Sequence, residues 1–277
     1  MVATNAIDQL TVTARRIRRH IIEMVTEAQS GHPGGSLSAV EILCSIFFGG
    51  VMRYDPTRPD WPDRDRFILS KGHATPVYYA VLAEAGYFPL EELHTYRKLN
   101  SRLQGHPKMH TAPGIEMSAG SLGQGLAFSI GQCFAARLDN KDYRVYCLLG
   151  DGECQEGETW ESFMAAPYHG IDNLVAIVDR NGIQNDWFVK DTMELNPLDE
   201  KLRAFGWHVI VVPDGNKFEG LLHAFDEART VKGQPTAIIA HTIKGKGVSF
   251  MENNPDWHGK APSTEQATQA LAEIGDA

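Results

Sequence analysis

The sequence has no Cys-x-x-Cys pair, no long uninterrupted apolar run and no excess of positive charge. Its four cysteines, Cys44, Cys133, Cys147 and Cys154, lack zinc-site spacing and do not form a disulfide framework, which suits a reduced, cytoplasmic setting. The stretch AVEILCSIFFGGVM is interrupted by Glu41 and too short to span a bilayer, and MVATNAIDQL has no signal-peptide pattern, so no membrane role is expected. With 35 acidic against 26 basic residues, a net charge of -9 gives no electrostatic reason to expect nucleic-acid binding. The basic stretch RRIRRH, Arg15 to His20, reads as a solvated helix face.

What is present is a foldable chain. Its 277 residues are 43% hydrophobic and 22% charged, enough for a sizeable core and too apolar for disorder. Ile7, Leu10, Ala14, Ile17, Ile21, Met24 and Ala28 recur in steps of three and four, which predicts an amphipathic helix ending at SGHPGG. A second helix is expected to start near Ser36 or Ser38, with Glu41 completing a capping box. Five short runs read as strands: RFILS, YRVYCLLG, NLVAIVDR, GWHVIVVP and PTAIIAHT. Helical stretches lie between them, including 121–138, 160–168 and 218–231, and the tail forms a short helix capped by Ser263 or Thr264. Strands alternating with helices imply an α/β fold, a mostly parallel sheet flanked by helices. No repeat or linker divides the chain, so 1–277 is expected to be one domain.

The chemistry concentrates at YCLLGDGECQEG. An apolar run that stops at Gly-Asp-Gly is the carboxyl end of a parallel strand, where such sheets hold their ligands. No Gly-Lys-Ser/Thr follows, so a phosphate held there calls for a bridging metal ion. The next strand ends in DRNGI, and adjacent parallel strands bring Asp151 and Asn181 side by side. A carboxylate, an amide oxygen, a backbone carbonyl and diphosphate oxygens would make an oxygen shell for Mg²⁺ or Ca²⁺. Both residue types also favour turns, which is the plainer reading.

GDGECQEG followed by DRNGI resembles the thiamine diphosphate motif. The blocks SGHPGGSLSAVEIL, DRDRFILSKGHATPVYYAVLAEAGYF, LQGHPKMHTAPGIEMSAGSLGQGLAFSIG and DWHGKAP resemble the transketolase family, in family order over nearly the whole chain. The resemblance implies a thiamine diphosphate-binding fold and a transferase that moves a two-carbon ketol unit between sugar phosphates. It implies that Asp151, Asn181 and the Ile183 carbonyl bind the metal, and that Gly152 offers a backbone N–H to the diphosphate. His73 and His258 would stand near the diphosphate and the reacting carbon, with His32 and His106 lining the sugar channel. Gly120 and Leu122 would support the aminopyrimidine, and Glu156 would reach across a subunit interface. Imidazole suits proton movement at neutral pH, and three of these four histidines follow Gly in a loop, His258 following Trp257 instead. The other seven, His20, His94, His110, His169, His208, His223 and His241, read as structural.

Two departures stand out. Arg180 occupies a position where the motif often has Asp or Asn, next to Asn181. The segment HTIKGKGVSFMENNPDWHGKAP carries Lys244 and Lys246 on a Gly-rich loop, which would either close over the cofactor and deliver His258 or lie plainly on the surface. The resemblance also implies what is missing: a pyrimidine domain that carries the activating Glu and the sugar-phosphate contacts, and a further C-terminal domain. The chain is then either a shortened piece of a longer enzyme or, as is expected here, the N-terminal subunit of a split transketolase, paired with a C-terminal transketolase subunit, two of each in a heterotetramer. Alternatives are a subunit resembling 1-deoxyxylulose-5-phosphate synthase or a 2-oxo acid dehydrogenase E1 α chain, or a non-catalytic partner retaining the fold.

Overall fold

The computed structural model describes residues 4–276. In chain order the elements are α1 (Thr4–Ala28), α2 (Pro33–Ser38), α3 (Val40–Phe48), β1 (Arg66–Leu69), α4 (Thr75–Glu84) and α5 (Gln124–Leu138). They continue with β2 (Val145–Gly150), α6 (Gly157–Tyr168), β3 (Leu174–Arg180), α7 (Val189–Thr192) and α8 (Leu198–Phe205). β4 (His208–Val212), α9 (Phe218–Thr230), β5 (Thr236–His241) and α10 (Thr264–Ile274) complete the chain. The five strands anticipated from apolar runs all form, in one parallel sheet ordered β1-β2-β3-β5-β4.

Alternate side chains of the strands feed two separate cores, as a period of two requires. Phe67, Tyr146, Leu148, Val175 and Ile177 face α1, α3, α4 and α9. Ile68, Val145, Cys147, Leu149, Ala176 and Val178 face α5, α6 and α8. Both faces being covered, β2 is apolar throughout and β3 is apolar as far as Val178. The register sets Gly150 opposite Asp179 and Arg180 opposite His241, so the ends of β2, β3 and β5 form one edge.

Two sequence expectations fail at the helices. The second helix begins at Pro33, breaks at Ala39 and restarts as α3 without a side-chain cap. Ser38 instead donates to Asp179 Oδ2 at 2.6 Å, and Glu41 takes two bonds from Arg18. Buried charges need partners more than a helix end needs its cap. For the same reason RRIRRH is not a solvated face. Arg18 is buried against Glu41, Arg16 and His20 converge on Glu84, and Arg15 and Arg19 donate to carbonyls of the tail at Asp276 and Gly275. The tail expectation holds, with Ser263 and Gln266 forming a reciprocal capping box on α10.

Candidate active site

A cavity of about 320 Å³ opens at the carboxyl edge of the sheet. Asp151 follows β2 and Asn181 follows β3, and the two loops lock together. Gly182 N–H donates to Asp151 Oδ2 at 2.6 Å, Gly152 N–H to Asp151 Oδ1 at 2.9 Å, and Ile183 N–H to Asn181 Oδ1 at 3.1 Å. Asp151, Asn181 and Ile183 are all buried and all line the cavity. Burial and the nearby Asp179 push the Asp151 carboxyl above its usual range, opposed by those two N–H groups and by Arg180. The donors in reach are a carboxylate, an amide oxygen and a carbonyl, a set that fits a hard divalent cation. Among the described residues no group of three His, Cys, Asp or Glu side chains could hold a metal, so a site here depends on the amide and the carbonyl.

The four anticipated histidines come together from four separate segments. The ring centroids of His73 and His258 are 5.0 Å apart, those of His32 and His73 5.2 Å, His32 and His258 5.5 Å, and His32 and His106 6.3 Å. His73 and His258 line the cavity, whereas His32 and His106 stand one ring further out. Burial, with Lys244 and His32 next, lowers His258 to about 3. Burial, with Arg97 and His106, lowers His32 to about 4. Burial and Lys71 hold His73 well below its usual value, and burial and Arg97 lower His106. All four are neutral imidazoles at pH 7, able to donate at one nitrogen and accept at the other. His32 Nδ1 is buried without a hydrogen-bond partner, a polar atom waiting for a ligand.

The remaining anticipated residues distribute unevenly. Leu122, Gly152 and Glu156 line the cavity, Glu156 with an exposed side chain at the start of α6. A Cβ on Gly152 would meet Gln184 Cβ at 2.4 Å, so only glycine fits there. Gly120 lies outside the lining, backing the His106 ring at 3.5 Å from where a Cβ would stand. None of the seven histidines read as structural lines the cavity. Among them His20 meets Glu84, His94 meets Glu27, His208 meets Glu227 and His169 packs on Phe134.

Sequence reasoning missed four charged residues, Lys71, Arg97, Glu153 and Asp179, and left Lys244 between a closing loop and the surface. Asp179, buried at the end of β3, accepts from Lys71, Ser38 and Thr242 and ties β1, α2 and β5 to the site. Burial opposes its charge, yet Lys71 prevails and holds its carboxyl below the usual range. Glu153 accepts from Ser70, from Gly123 N–H and from Gly150 N–H, which fixes the start of α5 against the end of β2. Lys244 corrects the surface-loop reading: it is buried, donates to the Ile183 carbonyl at 2.9 Å and lies 2.7 Å from His258 Nδ1. Lys246 turns away to Glu252. Arg97, in the left-handed region at φ 57°, sets its charge beside His32 and His106 and donates to Ser30. The available signal was position: Asp179 lies at the end of β3, and Lys71 and Glu153 lie two and three residues past the ends of β1 and β2, where a parallel sheet keeps its ligands.

The fold and this edge define a diphosphate-binding α/β domain. Residues 7–275 match the family described as transketolase, thiamine diphosphate binding domain. The 6-deoxy-6-sulfo-D-fructose transketolase subunit SqwG of Clostridium sp. (strain MSTE9) is 40% identical over 261 residues, covering 94% of either chain. An apulose-4-phosphate transketolase subunit from Actinobacillus succinogenes is 40% identical over 97% of either chain. Human transketolase is 44% identical over 263 residues, which are 95% of this chain and 41% of that one. The solved transketolase from Leishmania mexicana superposes with a TM-score of 0.92 at 33% identity, covering 96% of this chain and 41% of that chain. The chain belongs to the transketolase family, as its thiamine diphosphate-binding domain. It spans nearly all of the relatives named as subunits and about two fifths of the long transketolases.

Proposed function

We propose that this chain is the diphosphate-binding subunit of a two-chain transketolase, a single domain active only with a complementary pyrimidine-binding chain, two of each in the assembly. The observation that carries the reading is the neutral imidazole cluster beside the Asp151, Asn181 and Ile183 oxygens. Thiamine diphosphate supplies the electron sink for cleaving a ketose between C2 and C3. Asp151 Oδ, Asn181 Oδ1 and the Ile183 carbonyl would hold a divalent cation, Mg²⁺ or Ca²⁺, and Gly152 N–H and Lys244 Nζ would bind the diphosphate. His73 and His258 would hold and pass protons beside the reacting carbon, His258 through Nε2, because its Nδ1 meets Lys244 Nζ at 2.7 Å. His32 and His106, with Arg97 behind them, bind sugar hydroxyls and the carbonyl oxygen. Gly120 and Leu122 support the pyrimidine ring, and Glu156, exposed at the cavity rim, meets the complementary chain.

Sugar phosphates are the expected substrates, and the relatives named for a sulfonated sugar and for apulose 4-phosphate widen the donors to be tried. No helix among the described residues is long and apolar enough to cross a membrane. Four buried free thiols support a reducing, cytoplasmic compartment. The test is ketol transfer from xylulose 5-phosphate to ribose 5-phosphate with thiamine diphosphate and Mg²⁺. It is run on this chain alone and then with the complementary chain encoded in the same genome. Activity should arise only on mixing. Activity of the chain alone would refute the two-chain reading. Turnover of pyruvate in place of a ketose by the mixture would move the protein to the deoxyxylulose phosphate synthase-like alternative.

A further inference from the structure

We propose that Tyr96 and Arg97 are the positioning residues of the imidazole cluster, joining the three segments that carry His32, His73 and His106 through one chain of hydrogen bonds. The pair follows a short helical turn at Leu90–Thr95, and neither residue lines the cavity itself. The direction of each bond follows from counting protons. Thr75 has one hydroxyl proton and gives it to the Gly105 carbonyl at 3.0 Å, so across the 3.3 Å to Tyr96 it can only accept. Tyr96 therefore donates to Thr75, and its oxygen accepts from Arg97 Nε at 3.1 Å. Arg97 Nη1 reaches the other way, to Ser30 Oγ at 2.8 Å. Ser30 lies two residues before His32, Thr75 two after His73, and Gly105 immediately before His106. The relay runs from a cation through two hydroxyls to a carbonyl, each bond polarising the next.

The glycines that precede two of these histidines belong to the same device. A Cβ on Gly105 would stand 2.4 Å from Arg97 Cζ, and one on Gly31 would stand 3.3 Å from Tyr96 Cε1. Each bare stretch of backbone is seated on one member of the pair, which fixes where the next imidazole begins.

Arg97 occupies this place against two local preferences. Its φ of 57° lies in a region that side chains rarely enter. Its neighbours Lys98 and Arg102 pair with Glu27 and Glu92, whereas among the described residues no carboxylate pairs with Arg97, which bonds to two hydroxyls instead. A strained residue held so firmly points to a task at the site it adjoins. The charge serves the same rings. His32 is faced by Arg97, Lys244, His73, His106 and His258, with no carboxylate among them, so the residue that positions the imidazole also keeps it unprotonated.

The experiment separates place from charge. Tyr96→Phe keeps the ring and breaks the relay, Arg97→Lys keeps the charge and loses the planar fork, and Arg97→Met loses both. Imidazole NMR spectra of the full chain are recorded against pH, and ketol transfer is measured after mixing with the complementary chain. All three variants should lower kcat by about 10-fold or more with a smaller change in KM, because displaced imidazoles fail chiefly in the transition state. Their melting temperatures should fall by only a few degrees. His32 should titrate above its value of about 4 in Arg97→Met and stay close to it in the other two. Full kcat in Tyr96→Phe would overturn the proposal, and so would recovery of kcat by Arg97→Lys, which would leave Arg97 a role in charge alone. The kinetic arm rests on the transketolase reading; the spectra do not. In Tyr96→Phe the ring resonances of His32, His73 and His106 should all shift, and that of His258, on a segment outside the relay, should move least. An unchanged set would overturn the positioning role even where the mixture transfers ketol units, and a shifted set in a mixture without ketol transfer would uphold it while the reaction is reassigned.

Discussion

Two groups of buried charge in this protein contrast sharply. On α1, Arg18 grips Glu41 through paired bonds of 2.7 and 2.8 Å and donates its Nε–H to the Lys246 carbonyl at 3.0 Å. Every strong group there has a partner, and the pair is closed. At the carboxyl edge of the sheet, Lys71 shares Asp179 with two hydroxyls, whereas Lys244 has a carbonyl and an imidazole for company. Burial and Lys71 together lower Lys244 to about 7, and His32 keeps a buried nitrogen idle. A structural charge cluster is saturated. A binding cluster holds positive charge and unused hydrogen-bonding capacity in reserve for a ligand.

The contrast can be broken from either side. Arg18→Met should cause the largest change, a loss of about 3–5 kcal/mol in urea unfolding, because Glu41 is left buried and unpaired. Adding Glu41→Leu should recover most of it, and catalytic turnover of the assembled enzyme should stay put. Should Arg18→Met alter cofactor affinity and leave stability intact, the distinction fails. Next, Asp151→Asn should weaken metal-dependent binding of thiamine diphosphate to the assembled enzyme by about 100-fold or more in calorimetric titration. It should also relieve the repulsion from Asp179, so the free chain should melt no lower than wild type.

His20 provides a pH test of the structural side. Burial opposes its charge, but hydrogen bonds to Glu23 and Glu84 outweigh that and raise it to about 9. The unfolded value being near 6.5, the protonated form contributes stability that is fully present below that pH and is lost as pH climbs through 9. The loss should be on the order of 2 kcal/mol, and His20→Gln should flatten the curve between those limits. A profile unchanged by the substitution would show that Arg16 alone satisfies Glu84. The smallest effect is expected at the lysines. Lys244→Met should cost about tenfold in diphosphate affinity while raising the melting temperature of the free chain, as removal of a buried cation among cations predicts. Lys246→Ala, paired with half-buried Glu252, should alter neither.

Much of this was legible in the sequence because it depended on local pattern. The strands announced themselves as apolar runs, and the capping box at Ser263 needed only Gln266. The imidazole quartet was read from four short blocks, and the structure brings those blocks together. What escaped depended on partners remote in the chain. A lysine in a glycine-rich loop looks solvated until Ile183 and His258 arrive beside it. Ser38 and Glu41 have the spacing of a cap, yet Asp179 and Arg18 bind them more strongly than the helix end does. Strand order was equally hidden, since a crossover can return to either side and nothing in β4 marks it as an edge.

The segment after α1 has one more consequence, and it concerns time. Gly245 N–H donates to the Gly34 carbonyl at 3.0 Å, and a Cβ on Gly34 would stand 2.7 Å from the Trp257 carbonyl. The first motif block is therefore seated on the last. While the chain emerges from a ribosome, His32 waits for the intervening residues to be made before His258 exists to meet it. Contacts so distant along the chain form late and slowly. An unfinished chain thus has only part of the imidazole cluster, and the cavity is complete only when the last block folds back onto the first.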